Sequence, residues 1–226
     1  MLSRGTYDVG MELISINIGM PTAIDIGGER VTTGICKRPV DGPRVLSAEG
    51  LEGDGVGNTK SHGGPDQAVF AYASEHYDHW SETYGRDDLA YGLMGENLTV
   101  RGWLDEDVCV GDTYKVGEAV VQITGPRNPC WKLEHMVGIK GFAKRYADDR
   151  RFGLYMRVLE AGEIKAGDEV ALIEKSPSGF GVVEAAELML YRSKDVDGMR
   201  RALKVQGLGV RVREKFEQRV AAVEAG

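Results

Sequence analysis

Residues 108–124 read VCVGDTYKVGEAVVQIT: three short β-rich runs, broken twice by a glycine followed by an acidic residue. Val108–Val110, Thr113–Val116 and Ala119–Thr124 carry the β-branched and aromatic residues that suit a pleated, half-buried surface. Gly111-Asp112 and Gly117-Glu118 read as turns between adjacent strands. Runs this short and this tightly joined predict a barrel or curled sheet rather than alternating strand and helix units.

The same reading extends outward. Leu13, Ile14, Ile16 and Ile18 form a strand-like run ending at Gly19, and further β runs are expected at Arg44–Ala48, Ala68–Ala73, Leu98–Val100, Gly153–Glu160 and Val170–Ile173. Two helices interrupt them. One is expected to start at Ser74, as an N-cap, and to stop near Gly85; the other covers Gly141–Tyr146. After Ser176-Pro177-Ser178-Gly179, read as a linker, Leu188, Leu190, Met199, Leu203, Val212, Phe216 and Val220 recur at helical spacing and predict three short helices. The division that follows is an N-terminal extension over residues 1–11, a mainly β domain over 12–175, and a three-helix segment over 182–226.

With 226 residues, 42% hydrophobic and 28% charged, the chain can bury a sizeable core. A net charge of −7 argues against general binding to nucleic acid or to a membrane surface, although an anionic small ligand needs only a few local cations. No signal-like or membrane-spanning run is seen, so a cytoplasmic location is the default expectation. Cys36, Cys109 and Cys130 are widely spaced without a CxxC pair, which predicts reduced thiols and neither a zinc ribbon nor a dithiol redox motif.

Chemistry concentrates in four places. Gly125-Pro126-Arg127-Asn128-Pro129-Cys130-Trp131-Lys132 follows a strand, so Cys130 is expected at a strand end or in the succeeding loop, with Arg127 and Lys132 near enough in sequence to favour a thiolate. A soft thiolate suits a polarizable metal centre or a nucleophile; the plain alternative is a small buried cysteine. Gly50–Asp54 and Ser61-His62-Gly63-Gly64-Pro65-Asp66-Gln67 offer glycine backbones to a ligand, with His62 as a donor, or else form a tight surface loop. Asn97, in Gly95-Glu96-Asn97-Leu98, combines donor and acceptor, while Lys37 and Arg38 precede a proline and could hold a phosphate or simply face solvent. His76 and His79 can share a helix face but lack an HExxH pattern, so a structural helix is the better reading.

Taken in order, these segments resemble the MOSC family, specifically its bacterial YiiM-like branch with a three-helix C-terminal extension. The resemblance runs through Gly34–Val40, Gly50–Asp54, His62–Asp66, Glu75-His76-Tyr77, Gly95–Leu98, Val108–Asp112, Pro126–Leu133, Arg157–Glu160 and Ala166-Gly167-Asp168. It implies a β-barrel-like core and a molybdenum cofactor (Mo-molybdopterin), with Cys130 as metal ligand or sulfur carrier. Lys37, Arg38, Asp54, His62, Gly63, Gly64, Asn97, Arg127 and Lys132 would then form the cofactor pocket, and His62 would be the leading proton donor. The implied activity is reduction of N-hydroxylated small molecules with electrons from a separate redox protein, and a homodimer is compatible with the helical tail. The rival readings are a sulfur carrier using a Cys130 persulfide and a non-catalytic cofactor-binding module.

Overall fold

The first strand, β1 (Met11–Ile18), decides how the sheet closes, because both of its edges are used. The structure, a computed structural model, describes residues 10–57 and 63–224. Before the barrel returns to β1 the chain lays down a hairpin, β2 (Thr22–Ile26) and β3 (Glu29–Thr33), then the short strands β4 (Arg38–Val40), β5 (Arg44–Ser47) and β6 (Gly50–Leu51). The barrel strands that follow are β7 (Val69–Ala73), β8 (Leu98–Arg101), β9 (Thr113–Val116), β10 (Ala119–Pro126) and β11 (Leu154–Glu160). After the short β12 (Gly162–Ile164), β13 (Glu169–Glu174) returns to β1.

Strand order is β13-β9-β10-β11-β7-β8-β1, and β13 pairs again with β1, so seven strands close on themselves. One edge of β1 pairs antiparallel with β8, as in Leu13↔Val100 and Ile16↔Leu98. Its other edge pairs first with β13, at Met11↔Val170, and then with β4, at Ile18↔Arg38. Closure removes the exposed edges that an open sheet would leave. The pair β7 and β8 is parallel, and a parallel pair needs a crossover, which here contains helix α1 (Ser74–Tyr84).

Leu13, Ile16, Val100, Val116, Val121 and Ile123 point into the barrel and are fully buried, each worth about 1.5–3 kcal/mol relative to exposure. Helices α4 (Val182–Leu190), α5 (Val196–Leu203) and α6 (Val210–Glu224) send Val182, Leu188, Met199, Phe216 and Val220 into that same core. The tail is therefore continuous with the barrel rather than appended to it. An aromatic cluster outside the barrel joins β7 to α1, α2 (Lys132–Val137) and α3 (Phe142–Asp148) through Tyr72, Tyr77, Trp80, Phe142 and Tyr146. Among the described residues no helix is long and apolar enough to cross a membrane.

Several expectations need correction. Val108–Val110 is not a strand; Val110 N–H donates to Phe180 O and Val182 N–H to Val108 O, so its polar groups face the entry to α4 and leave an isolated bridge, Cys109 to Gly181. Ser74 is the first helical residue rather than the cap, its hydroxyl lying on Glu75, whereas Gly85 ends α1 at φ +60° as the sequence predicts. The Ser176–Gly179 segment is stitched down, not loose: Ser176 N–H donates to the buried Asp112 carboxylate at 2.7 Å and the Ser176 and Ser178 hydroxyls bond each other. The expected extension over 1–11 ends before Met11, which is already paired; residues 1–9 lie outside the described residues. The β2–β3 hairpin and α2 were not anticipated. The hairpin was legible, because Gly27-Gly28, both with positive φ, joins two runs of period-two alternation.

Candidate functional site

Strand β10 delivers Arg127 to the interior, and its backbone N–H is fixed on Gly153 O at 3.1 Å. Arg127 is only 5% exposed, and its guanidinium carbon lies 5.1 Å from the Phe70 ring centre and 5.5 Å from that of Tyr146. Such cation–π contacts hold a cation without neutralising it. Burial works against the Arg127 charge, but Tyr146, Cys130 and Tyr155 outweigh it and raise its pKa above the ordinary value, keeping it protonated. Its Nη1 is buried without a hydrogen-bond partner among the described residues. An orphaned charged donor of this kind is costly unless something else accepts from it.

The chain then turns out through Asn128 and Pro129 to Cys130, a half-buried free thiol at the entry to α2, where Leu133 N–H donates to Cys130 O. Across the cavity lies a second charged group. Lys37 Nζ is bound by both carboxylate oxygens of Asp54, and the two side chains are 8% and 11% exposed. Asp54 also accepts from Asn97 Nδ2 and from Gly19 N–H, each at 2.8 Å. Asn97 Oδ1 takes the Phe70 N–H at 3.2 Å, so its amide ties β7 and β8 to the Lys37 loop. Burial lowers the Lys37 pKa, and Asp54 opposes that fall.

These groups line a cavity of about 110 Å3, which also meets Gln67, Phe70 and Tyr155. Its backbone wall is glycine by necessity: a Cβ on Gly34 would stand 2.2 Å from Gly55 O, and one on Gly57 would stand 2.7 Å from Thr33 Cα. Of the residues singled out in the sequence, the fold brings Lys37, Asp54, Gly63, Asn97, Arg127, Cys130 and Lys132 to this one space. Arg38 does not join them; it is exposed on β4, opposite Ile18. Gly64 lines the neighbouring cavity instead. His62 lies outside the described residues.

The histidines of α1 are structural. His76 is fully buried, bonds Asp105 through Nε2 at 2.5 Å and meets Arg151 Nη1 at Nδ1. Arginine has only donors, so Nδ1 accepts and the imidazole is the neutral Nε2–H tautomer. His79 pairs with Asp149 at 2.8 Å. Among the described residues no cluster of three or more His, Cys, Asp or Glu is arranged to hold a metal. Cys36 is a loop residue beside the Met136 sulfur, and Cys109 sits at the isolated bridge to Gly181 rather than in the strand expected over Val108–Val110. Gln67 ends the His62 segment singled out in the sequence and reaches this cavity, whereas Phe70 and Tyr155 were not anticipated there. Phe70 and Tyr155 lie in runs read simply as strands, and nothing in their spacing marks the ligand side.

Residues 58–171 match the MOSC domain family. The chain is 37% identical to the uncharacterized protein YflK of Bacillus subtilis (strain 168) over 90% of its own length and 92% of that protein. It is 35% identical to a protein named Reductase from Gibberella moniliformis (strain M3125 / FGSC 7600), over 80% of this chain but 32% of that longer protein. The crystal structure of YiiM from Geobacillus stearothermophilus superposes with a TM-score of 0.78 at 31% identity, covering 93% of this chain and 99% of that one.

Proposed function

Because the chain belongs to the MOSC-domain family, we propose that it is a molybdenum-cofactor-dependent reductase of N-hydroxylated small molecules, supplied with electrons by a separate redox protein. MOSC domains are associated with this cofactor, and the donor set fits it. The observation that carries the reading is one cavity uniting the half-buried Cys130 thiol with the unpartnered Arg127 Nη1. A soft sulfur ligand and a bare cationic donor are what a thiolate-bound metal with an anionic pterin phosphate requires.

In this reading Cys130 Sγ holds the metal, Arg127 accepts the cofactor's negative charge, and Lys132 adds a second cation from the start of α2. The glycine wall lets backbone N–H groups approach a flat ring edge. When bound, the cofactor supplies the two-electron chemistry that turns R–NHOH, two electrons and two protons into R–NH2 and water. The chain has to position the N–O bond and deliver protons. His62 remains the proposed donor from the sequence, while Lys37 Nζ, held on Asp54, keeps a proton inside the cavity.

The test is metal and pterin analysis of anaerobically purified protein, paired with a reduction assay on N-hydroxylated substrates and a viologen dye as electron donor. Stoichiometric molybdenum with turnover supports the proposal. A Cys130 persulfide without molybdenum would replace it with sulfur transfer, and bound cofactor without turnover would replace it with a binding role.

A further inference from the structure

The Cys130 cavity adjoins a second space across Gln67 and Tyr155. These two residues, with Gly63, also line that space of about 460 Å3, whose far side is the start of α6. Val210, Arg211, Val212 and Glu214 form that side, with Pro126 opposite. Thus the start of α6 and the end of β10 line one space that adjoins the cavity of the thiol.

The position of this wall is fixed by Asp66 and Thr124, which line the second space. Asp66 Oδ2 accepts from Val210 N–H at 2.7 Å, its other oxygen pairs with Arg157 at 2.8 Å, and its backbone O accepts from the Thr124 hydroxyl at 2.6 Å. Gly209 N–H donates to Thr124 O at 2.9 Å, and a Cβ on Gly209 would stand 3.2 Å from that oxygen. Arg213 then locks α6 to the end of α5 through Leu203 O and Val205 O. A helix start held this tightly presents a constant surface to whatever enters.

Two chemical features describe the occupant. Gln67 Oε1 is buried with no hydrogen-bond partner among the described residues, an acceptor where the two spaces adjoin. Asp66 is already neutralised by Arg157, and Glu214 faces the same space as Arg211, so the wall carries no large net charge. Such a site favours an uncharged molecule that offers an N–H or O–H donor near its reacting end and has bulk beyond it.

We propose that the first turn of α6 is the outer wall of the substrate site. The reacting end passes Gln67 and Tyr155 toward Cys130, Gln67 Oε1 accepts a hydrogen bond from it, and the remainder lies against Val210 and Glu214. This assignment rests on the reductase reading for the identity of the reacting end. It makes the C-terminal segment a specificity element, where the sequence placed every site residue before the linker.

The experiment uses full-length, cofactor-loaded protein and two readouts. Calorimetric titration measures binding of 2-aminobenzimidazole, a flat bicyclic amine with donor edges, and steady-state assays measure reduction of its N-hydroxy form and of hydroxylamine. Val210→Trp should weaken amine binding roughly tenfold and raise KM for the bicyclic substrate by a similar factor more than for hydroxylamine. Gln67→Leu should weaken the amine to a comparable degree, while Val223→Trp, exposed at the other end of α6, should change neither readout. Wild-type binding without turnover would refute the reductase reading and leave the wall standing. Unaltered amine affinity in folded Val210→Trp, or no amine binding by the wild type, would overturn the wall even if hydroxylamine is reduced.

Discussion

Replacing Asp54 with alanine removes four interactions at once: both contacts to Lys37 Nζ, the bond from Asn97 Nδ2 and the bond from Gly19 N–H. Lys37 stays behind with its side chain 8% exposed, and the carboxylate of Glu96 acts on it only through space, more weakly than Asp54. Breaking one side of a buried pair typically costs about 3–5 kcal/mol, because the surviving charge is left uncompensated. For a chain of this size each kcal/mol lowers the melting temperature by about 2–4 °C, so a fall of roughly 6–20 °C is expected. The structure also says how the loss is relieved. Burial already depresses Lys37 and Asp54 opposes it, so without Asp54 the ammonium should deprotonate more readily, and the variant's deficit should shrink as pH is raised. Thermal and urea unfolding of the cofactor-free proteins from pH 7 to 9 measure both effects. Adding Lys37→Met to Asp54→Ala removes the stranded charge and should recover at least part of the loss. A deficit under about 1 kcal/mol, or a double variant no more stable than the single one, would refute the claim that Asp54 holds the cavity wall together.

Arg127→Lys keeps the charge but loses the planar fork, so cofactor retention should fall, and Arg127→Ala should lower it further; molybdenum and pterin occupancy, set beside apo melting temperatures, reads this, and unchanged occupancy in folded Arg127→Ala sinks the role. Glu96 is fully buried, its Oε1 taking bonds from Tyr77, Gly92 and Thr99 and its Oε2 having no partner, and burial raises its pKa above the usual carboxylate value of about 4.3. A raised folded-state pKa means stability that is full below the unfolded value and lost as pH climbs through the folded one. Glu96→Gln mimics the neutral acid, so its advantage over wild type should grow from pH 4 to pH 8 in thermal unfolding, and a constant difference would contradict the assignment.

The barrel was legible because its strands are short, β-branched and separated by glycine turns; Thr113–Val116 is placed to the residue, and Gly117 turns between β9 and β10 as read. Val108–Val110 failed for a physical reason. It has strand composition, but its polar groups pair with the entry to α4, Phe180 and Val182, a partner distant in sequence that leaves no local trace. The Cys130 loop and Lys37 stood out because thiol and cation carry chemistry by residue type, whereas Gly55 and Gly57 of the wall fall between the glycine segments singled out and are required by backbone contacts that only the fold shows. Arg38 opens β4, is exposed and does not line the cavity, while its neighbour Lys37 does. Asn97 lines the cavity, yet its amide spends its bonds on Asp54, Asn17 and Phe70, and only the fold reveals that expenditure. The part played by α6 was invisible, since it depends on where the tail docks rather than on what it contains.

The central claim is that Cys130, and neither of the other cysteines, is the protein's sulfur ligand to molybdenum. X-ray absorption at the molybdenum edge, recorded on cofactor-loaded wild type, Cys36→Ser and Cys130→Ser, tests it most directly. The cavity geometry predicts one sulfur scatterer fewer in Cys130→Ser and no change in Cys36→Ser, with both variants folded. An unchanged sulfur shell in a metal-loaded Cys130→Ser protein, or the same loss in Cys36→Ser, would contradict it.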